Sequence, residues 1–175
     1  MSSASHKEMI AVWFSCGAAS AVAAKITLAR YKDHATVRVV NTPVKQEHPD
    51  NFRFLQDVQE WLGVEIEYAF NPKYLSCSCV DVWNDAQYMS GVGGAPCTRE
   101  LKKKSRELWE DAFRPDYHVL GFTADEKKRH DRFYRFERAN ILPVLNRCWH
   151  YKSGMLQDTF RCSHRIARNV SPRIP

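Results

Sequence analysis

The chain is 175 residues long, with 44% apolar and 26% charged residues, the ordinary composition of one globular domain with its own core. Its net charge of +6 favours an anionic partner: a nucleotide, a nucleic acid or a membrane surface. Six scattered cysteines (Cys16, Cys77, Cys79, Cys97, Cys148, Cys162) exclude a small disulfide scaffold, so a reducing, cytoplasmic setting is expected.

Residues 9–14, "MIAVWF", are a continuous apolar run, the pattern of a strand buried on both faces of a parallel sheet. The small residues "SCGAAS" follow at 15–20, and the alanine-rich stretch 21–30 reads as a helix. The stretch 11–24, preceded by His6 and Lys7, also has the outline of a secretion signal. Ser15, Gly17 and Ser20 interrupt it, and its removal would delete the best strand candidate in the chain. It is also shorter than the roughly twenty apolar residues that cross a bilayer, so no membrane association is expected.

Further along, 36–40 is a short β-branched strand. Residues 50–62 carry Phe52, Leu55, Val58 and Leu62 at helical spacing, with Gly63 where a C-terminal cap belongs. Val64, Ile66, Tyr68 and Phe70 alternate as a third strand. Thr98 can cap a helix bearing Leu101, Leu108 and Ala112; 116–122 is a fourth strand and 124–137 a charged helix. The order strand, helix, strand, helix, strand, helix, helix, strand, helix predicts an α/β fold: three layers, with an open, mostly parallel sheet and helices on both faces. Residues 1–146 form this domain, and 147–175 read as a basic, irregular tail.

In such sheets ligands sit beyond the carboxyl ends of the strands, where the 15–20 loop falls. Gly17 allows close backbone approach, and the N–H groups opening the next helix favour an anion. That term is worth only about 0.3–1 kcal/mol when exposed, so phosphate binding needs further basic or polar groups. The bland alternative is a tight strand–helix turn whose small residues serve packing. Three more segments fall after strands or at helix starts: "QEHPDNFRF" (46–54), "GVGGAPCTRELKKKSR" (91–106) and "GFTADEKKRHDRF" (121–133).

Together these segments resemble the PP-loop adenine-nucleotide α-hydrolase-like superfamily (HUP type), in particular its phosphoadenosine phosphosulfate (PAPS) reductase branch and related prophage-type proteins. "FSCGAAS" is similar to the PP-loop, written Ser-Gly-Gly-x-Asp-Ser in ATP-cleaving members, and the likeness covers about residues 8–145. The resemblance implies an adenine nucleotide, ATP or PAPS/APS, with Mg2+ in the ATP-cleaving case. It places Ser15, Cys16, Gly17, Ala18, Ala19 and Ser20 around phosphate or sulfate oxygens, and Asn41 and Thr42 near the adenine or ribose. Asp50 and Asn51 become polar contacts or metal-side groups. Gly94 and Thr98 approach from the glycine-rich loop, while Gly121, Phe122 and Glu126 complete the pocket. Cys97, Lys102 and Arg129 are the candidate catalytic groups, Arg129 being suited to bidentate phosphate contact.

Two departures stand out. Ala19 occupies the place of the Asp of ATP-cleaving members, and the C-terminal Glu-Cys-Gly-like segment of the reductases does not occur. Cys77-Ser-Cys79, Cys148-Trp-His150 and Cys162-Ser-His164 have one-residue spacings that strain shared coordination, so no metal site is expected from them. Cys97, at a helix start beside basic residues, suits either a lowered-pKa nucleophile or a pocket wall. Lys102, Lys103 and Lys104 cannot all face one way on a helix, and Trp61 and Trp109 sit at apolar helix positions expected in the core. Three readings remain open. One is an enzyme acting on an activated sulfate nucleotide, or cleaving ATP between its α- and β-phosphates. The second is a non-catalytic nucleotide-binding or regulatory module. The third is nucleotide-dependent thiolation of a nucleic acid.

Overall fold

A computed structural model describes residues 7–145; the expected tail, with both Cys-x-His pairs, lies outside the described residues. Four strands make one sheet: β1 (Met9–Phe14), β2 (Thr36–Asn41), β3 (Ile66–Tyr68) and β4 (Tyr117–Val119). They lie in the order β3-β2-β1-β4 and every pairing is parallel. The helices are α1 (Ala18–Tyr31), α2 (Asp50–Leu62), α3 (Cys79–Ala86), α4 (Ser105–Phe113) and α5 (Lys127–Phe136). A π-helical segment, Thr98–Lys104, runs into α4, and a 3-10 turn at Ala124–Glu126 precedes α5. This is the expected three-layer α/β arrangement.

β1 is central, with Met9–Phe14 in register with Thr36–Asn41 and Ile10, Val12 facing Tyr117, Val119 on the other side. Its side chains alternate between two cores. Ile10, Val12 and Phe14 join Ala21, Ala23, Ala24 and Leu28 of α1 and Leu55, Val58 and Leu62 of α2. Ala11 and Trp13 instead meet Val40 and Trp109 of α4. The alanines explain how α1 sits so close to the sheet: Ala23 and Ala24 are fully buried, and small side chains leave little between helix and strands. Gly63 ends α2 in a left-handed conformation (φ 72°) and donates to the Gln59 carbonyl at 3.0 Å, as its position predicts.

Several boundaries differ from the sequence pattern. α1 starts at Ala18, because extended Gly17 (φ −115°) already offers its carbonyl to Ala21 N–H at 3.0 Å. β3 and β4 are only three residues long, each pairing with half of the six-residue strand beside it, Val39–Asn41 of β2 and Ile10–Val12 of β1. α3 buries only Cys79 and Val82, too short a stripe to show as periodicity. Trp109 is buried as expected, but Trp61 is 40% exposed and lies beneath the Lys25 ammonium instead of in the core. Asn140–Leu142 runs along the outer side of β4, with His118 N–H donating to Asn140 O at 2.9 Å and Leu142 N–H to His118 O at 2.7 Å. Among the described residues no helix is long and apolar enough to cross a membrane.

Candidate functional site

β1 leads on one side to β2 and β3 and is flanked on the other by β4, so the strand order reverses between β1 and β4. A crevice opens beyond the carboxyl ends of strands at such a reversal. Two loops meet there, the β1–α1 loop and the segment after β4. Their approach is tight: a Cβ on Gly121 would lie 2.7 Å from Ser20 N and 2.8 Å from Ser20 Cα, so only glycine lets the two backbones touch.

The β1–α1 loop is held in shape by one hydroxyl. Ser20 Oγ donates to the Gly17 carbonyl at 2.8 Å and accepts the N–H groups of Ser15 (3.2 Å) and Gly17 (3.4 Å). Ser20 is therefore buried, an organiser of the turn rather than an open contact. Cys16, between those donors, takes a positive φ of 54°, the alternation that curls successive amides around a concavity. Buried Asn41 at the end of β2 fixes the loop from the side, donating to Phe14 O at 2.8 Å and to Cys16 Sγ at 3.6 Å. Burial, then Glu47, pushes the Cys16 thiol upward despite that hydrogen bond.

A cleft of about 670 Å³ opens from this loop toward α4 and α5. Trp13 and Val40 of the sheet line it, with Ser15, Thr42, Leu120, Gly121 and Phe122 from just beyond the strand ends and Thr98 from the π-helical segment. Lys102, Lys103, Arg106, Arg129 and Arg132 also line it, against Glu137 as the one carboxylate among the described residues. A smaller cavity of about 240 Å³ lies on the other side of the loop, lined by Cys16, Asn41, Pro43, Asn51, Phe52 and Tyr68 among others. Ser15 thus faces the cationic cleft and Cys16 the smaller, more apolar one.

Of the residues singled out by sequence, Ser15, Thr42, Thr98, Lys102, Gly121, Phe122 and Arg129 converge on the main cleft, and Cys16, Asn41 and Asn51 on the smaller cavity. Gly17, Ala18, Ala19 and Ser20 form the turn between them. Lys102 Nζ is ion-paired to Glu47 at 2.6 Å, and Arg129 to Glu126 at 2.7 Å. The remaining four line neither cavity. Asp50 is exposed and paired to Arg53 at 2.6 Å, which holds its carboxyl low. Gly94 (φ 91°) belongs to a turn with Gly91. Glu126 accepts Thr123 N–H at 3.2 Å and so shapes the start of α5. Cys97 packs into a cluster with Tyr74, Cys79, Val82 and Leu101.

Arg106 is the residue that sequence reasoning passed over. Its side chain is only 14% exposed, against 69% for Arg129. The guanidinium lies over Trp13 and Phe133, 5.8 Å and 5.5 Å from the ring centroids, and reaches Glu137 only at 4.0 Å. Its buried Nε has no hydrogen-bond partner among the described residues. Burial, then Arg138, pushes its pKa down, so the site already strains to hold the charge. An anion in the cleft would relieve a buried, under-paired cation. The signal available in the sequence was spacing: Lys102 and Arg106 are four apart, on one helix face, within a run that otherwise reads as solvated. Behind Arg106, Glu110 pairs with Arg138, and Trp13 Nε1 donates to His118 Nδ1 at 3.2 Å. His118 is lowered to about 4, chiefly by burial, and stays neutral as that acceptor.

The chain matches no protein-family model, and no curated protein matches it significantly. The geometry therefore carries the functional reading.

Proposed function

We propose that this protein binds an adenine nucleotide across the β1–α1 loop and acts as an enzyme of the PAPS-reductase-like kind. Its reaction is either on an activated sulfate nucleotide or cleavage of ATP between the α- and β-phosphates. The observation that carries this reading is the buried, under-paired Arg106 in a cleft that also gathers Lys102, Arg129 and Arg132 beside the Ser15–Ser20 turn. With Lys103, five cations line the cleft against one carboxylate among the described residues, which suits the phosphate or phosphosulfate end of a ligand. The aromatic and polar lining of the smaller cavity, Phe52, Tyr68 and Asn41, suits its base and ribose.

Chemically, the arrangement stabilises negative charge as it moves to a leaving group. Backbone N–H groups at the start of α1 would hold the oxygens next to the reacting centre, and Arg106 and Lys102 would take the departing anion. Lys102 is pre-aimed by Glu47, and Arg129, on an exposed helix, can close over the opening. The described residues do not fit a protein-held Mg2+: among them Glu137 is the only carboxylate lining the cleft, and it is paired to Lys103 at 3.4 Å. Among the described residues no group of three or more His, Cys, Asp or Glu could hold a metal ion. A cytoplasmic setting goes with this reading, since six scattered cysteines in a chain of 175 residues do not read as a disulfide framework.

Calorimetric titration of the full chain with ATP (with and without Mg2+), adenosine phosphosulfate and PAPS tests the reading. One of them should bind, and Arg106→Met should weaken it at least tenfold, about 1.4 kcal/mol, while circular dichroism stays native. Preference for ATP makes AMP and pyrophosphate the products to assay; preference for a phosphosulfate makes sulfite the product. If none binds, the nucleotide reading falls.

A further inference from the structure

Cys97 immediately precedes the π-helical segment that carries Thr98 and Lys102 into the wall of the main cleft. Cys79 is the first residue of α3. Both side chains meet in one small core with Tyr74, Val82 and Leu101. Cys79 is firmly placed, because its N–H donates to Gln46 Oε1 at 2.7 Å while Gln46 Nε2 donates to Ser78 Oγ at 3.0 Å. The neighbouring Glu47 holds Lys102, so one short stretch after β2 supports both the thiol pair and the cleft lysine. Burial raises the Cys79 thiol to about 11, helped by the charge and hydrogen bonding of Cys97 against it. Cys97 is the more accessible of the two. The chain between them passes through an exposed turn, Gly91 to Gly94, which supplies slack.

We propose that Cys79 and Cys97 form a redox-active dithiol whose disulfide pins the π-helical wall of the cleft to α3. The other described cysteines are engaged elsewhere: Cys16 Sγ accepts from Asn41 on the far side of the β1–α1 loop, and Cys77 Sγ donates to Leu75 O at 3.8 Å. With a low-molecular-weight disulfide such as glutathione disulfide as oxidant, the Cys97 thiolate attacks one sulfur and expels one glutathione thiolate, which takes up a proton. Cys79, having lost its proton to solvent, then attacks the Cys97 sulfur of the mixed disulfide and expels the second glutathione. Two protein thiols lose two electrons, and one small disulfide becomes two thiols. A shared disulfide in an otherwise reduced protein is of the transient, sensing kind.

The test needs no nucleotide, so it stands apart from the proposed function. The full chain is oxidised with glutathione disulfide, blocked with iodoacetamide, and cut on the amino side of aspartates without reduction, which separates residues 57–80 from 85–110. A cross-link between these peptides is expected in the wild type and in Cys77→Ser, absent in Cys79→Ser and Cys97→Ser, and reversed by dithiothreitol. Amide hydrogen exchange across Thr98–Lys104 should slow several-fold in the oxidised wild type. Glutathione retained on Cys97 without the cross-link, a cross-link that survives Cys79→Ser, or unchanged exchange after cross-linking would each overturn the proposal.

Discussion

The two faces of the sheet solve the burial problem differently. On the α1–α2 side, the dry side, Ile10, Val12 and Phe14 join a large apolar cluster with α1 and α2. On the α4 side, Ala11 and Trp13 meet a smaller apolar cluster, beyond which Arg106, Glu110, His118 and Arg138 are carried inside. Charges cost free energy to bury and are seldom kept for stability alone. The face that tolerates them is the one that opens into the cationic cleft. The contrast separates the part of the molecule that holds the fold from the part that the proposed chemistry requires.

The contrast can be broken most severely on the dry side. Phe14→Ala removes a ring 2% exposed and should cost about 3–5 kcal/mol in urea unfolding. On the charged side the lever is pH. The folded chain holds His118 near 4, below its ordinary value near 6.5, so the unfolded chain binds the proton first as the solution is acidified. The stability due to neutral His118 is complete above about pH 6.5 and is lost as pH falls toward 4, by about 3 kcal/mol in all. Unfolding midpoints at pH 7 and 4.5 should therefore diverge, and His118→Gln should flatten that difference. A smaller effect, about 1–3 kcal/mol, is expected from Gly121→Ala, because its Cβ must push the β4 segment off the first turn of α1. The same variant should loosen ligand binding at the β1–α1 loop; unchanged stability and unchanged binding would mean that the contact is not rigid.

The dry side was the legible side. "MIAVWF", the alanines of α1 and the stripe Leu55, Val58, Leu62 each repeat a period that one element alone satisfies, so strand, helix and their order could be read without knowing their partners. The β1–α1 turn was legible for the same reason, since it lies where two periods meet. What could not be read depended on tertiary placement. Ser15 and Ser20 look alike in a row of small residues, yet one lines the cleft and the other is spent holding the turn. Arg106 and Lys104 are both basic residues of one run, but α4 carries Arg106 inward over Trp13 and leaves Lys104 beside Glu107 at the surface. Arg129 drew attention through its motif, although its guanidinium is mostly exposed.

The segment Asn140–Leu142 along the outer side of β4 bears on how the protein behaves in a crowd. A bare strand edge is a template on which another chain can add itself. Here one border of the sheet is already occupied by that segment, and the other, β3, offers only three residues. Among the described residues neither border gives a second molecule enough ladder to grow on, so the sheet can stay open at its carboxyl end for a ligand without becoming a seed for fibres along its sides.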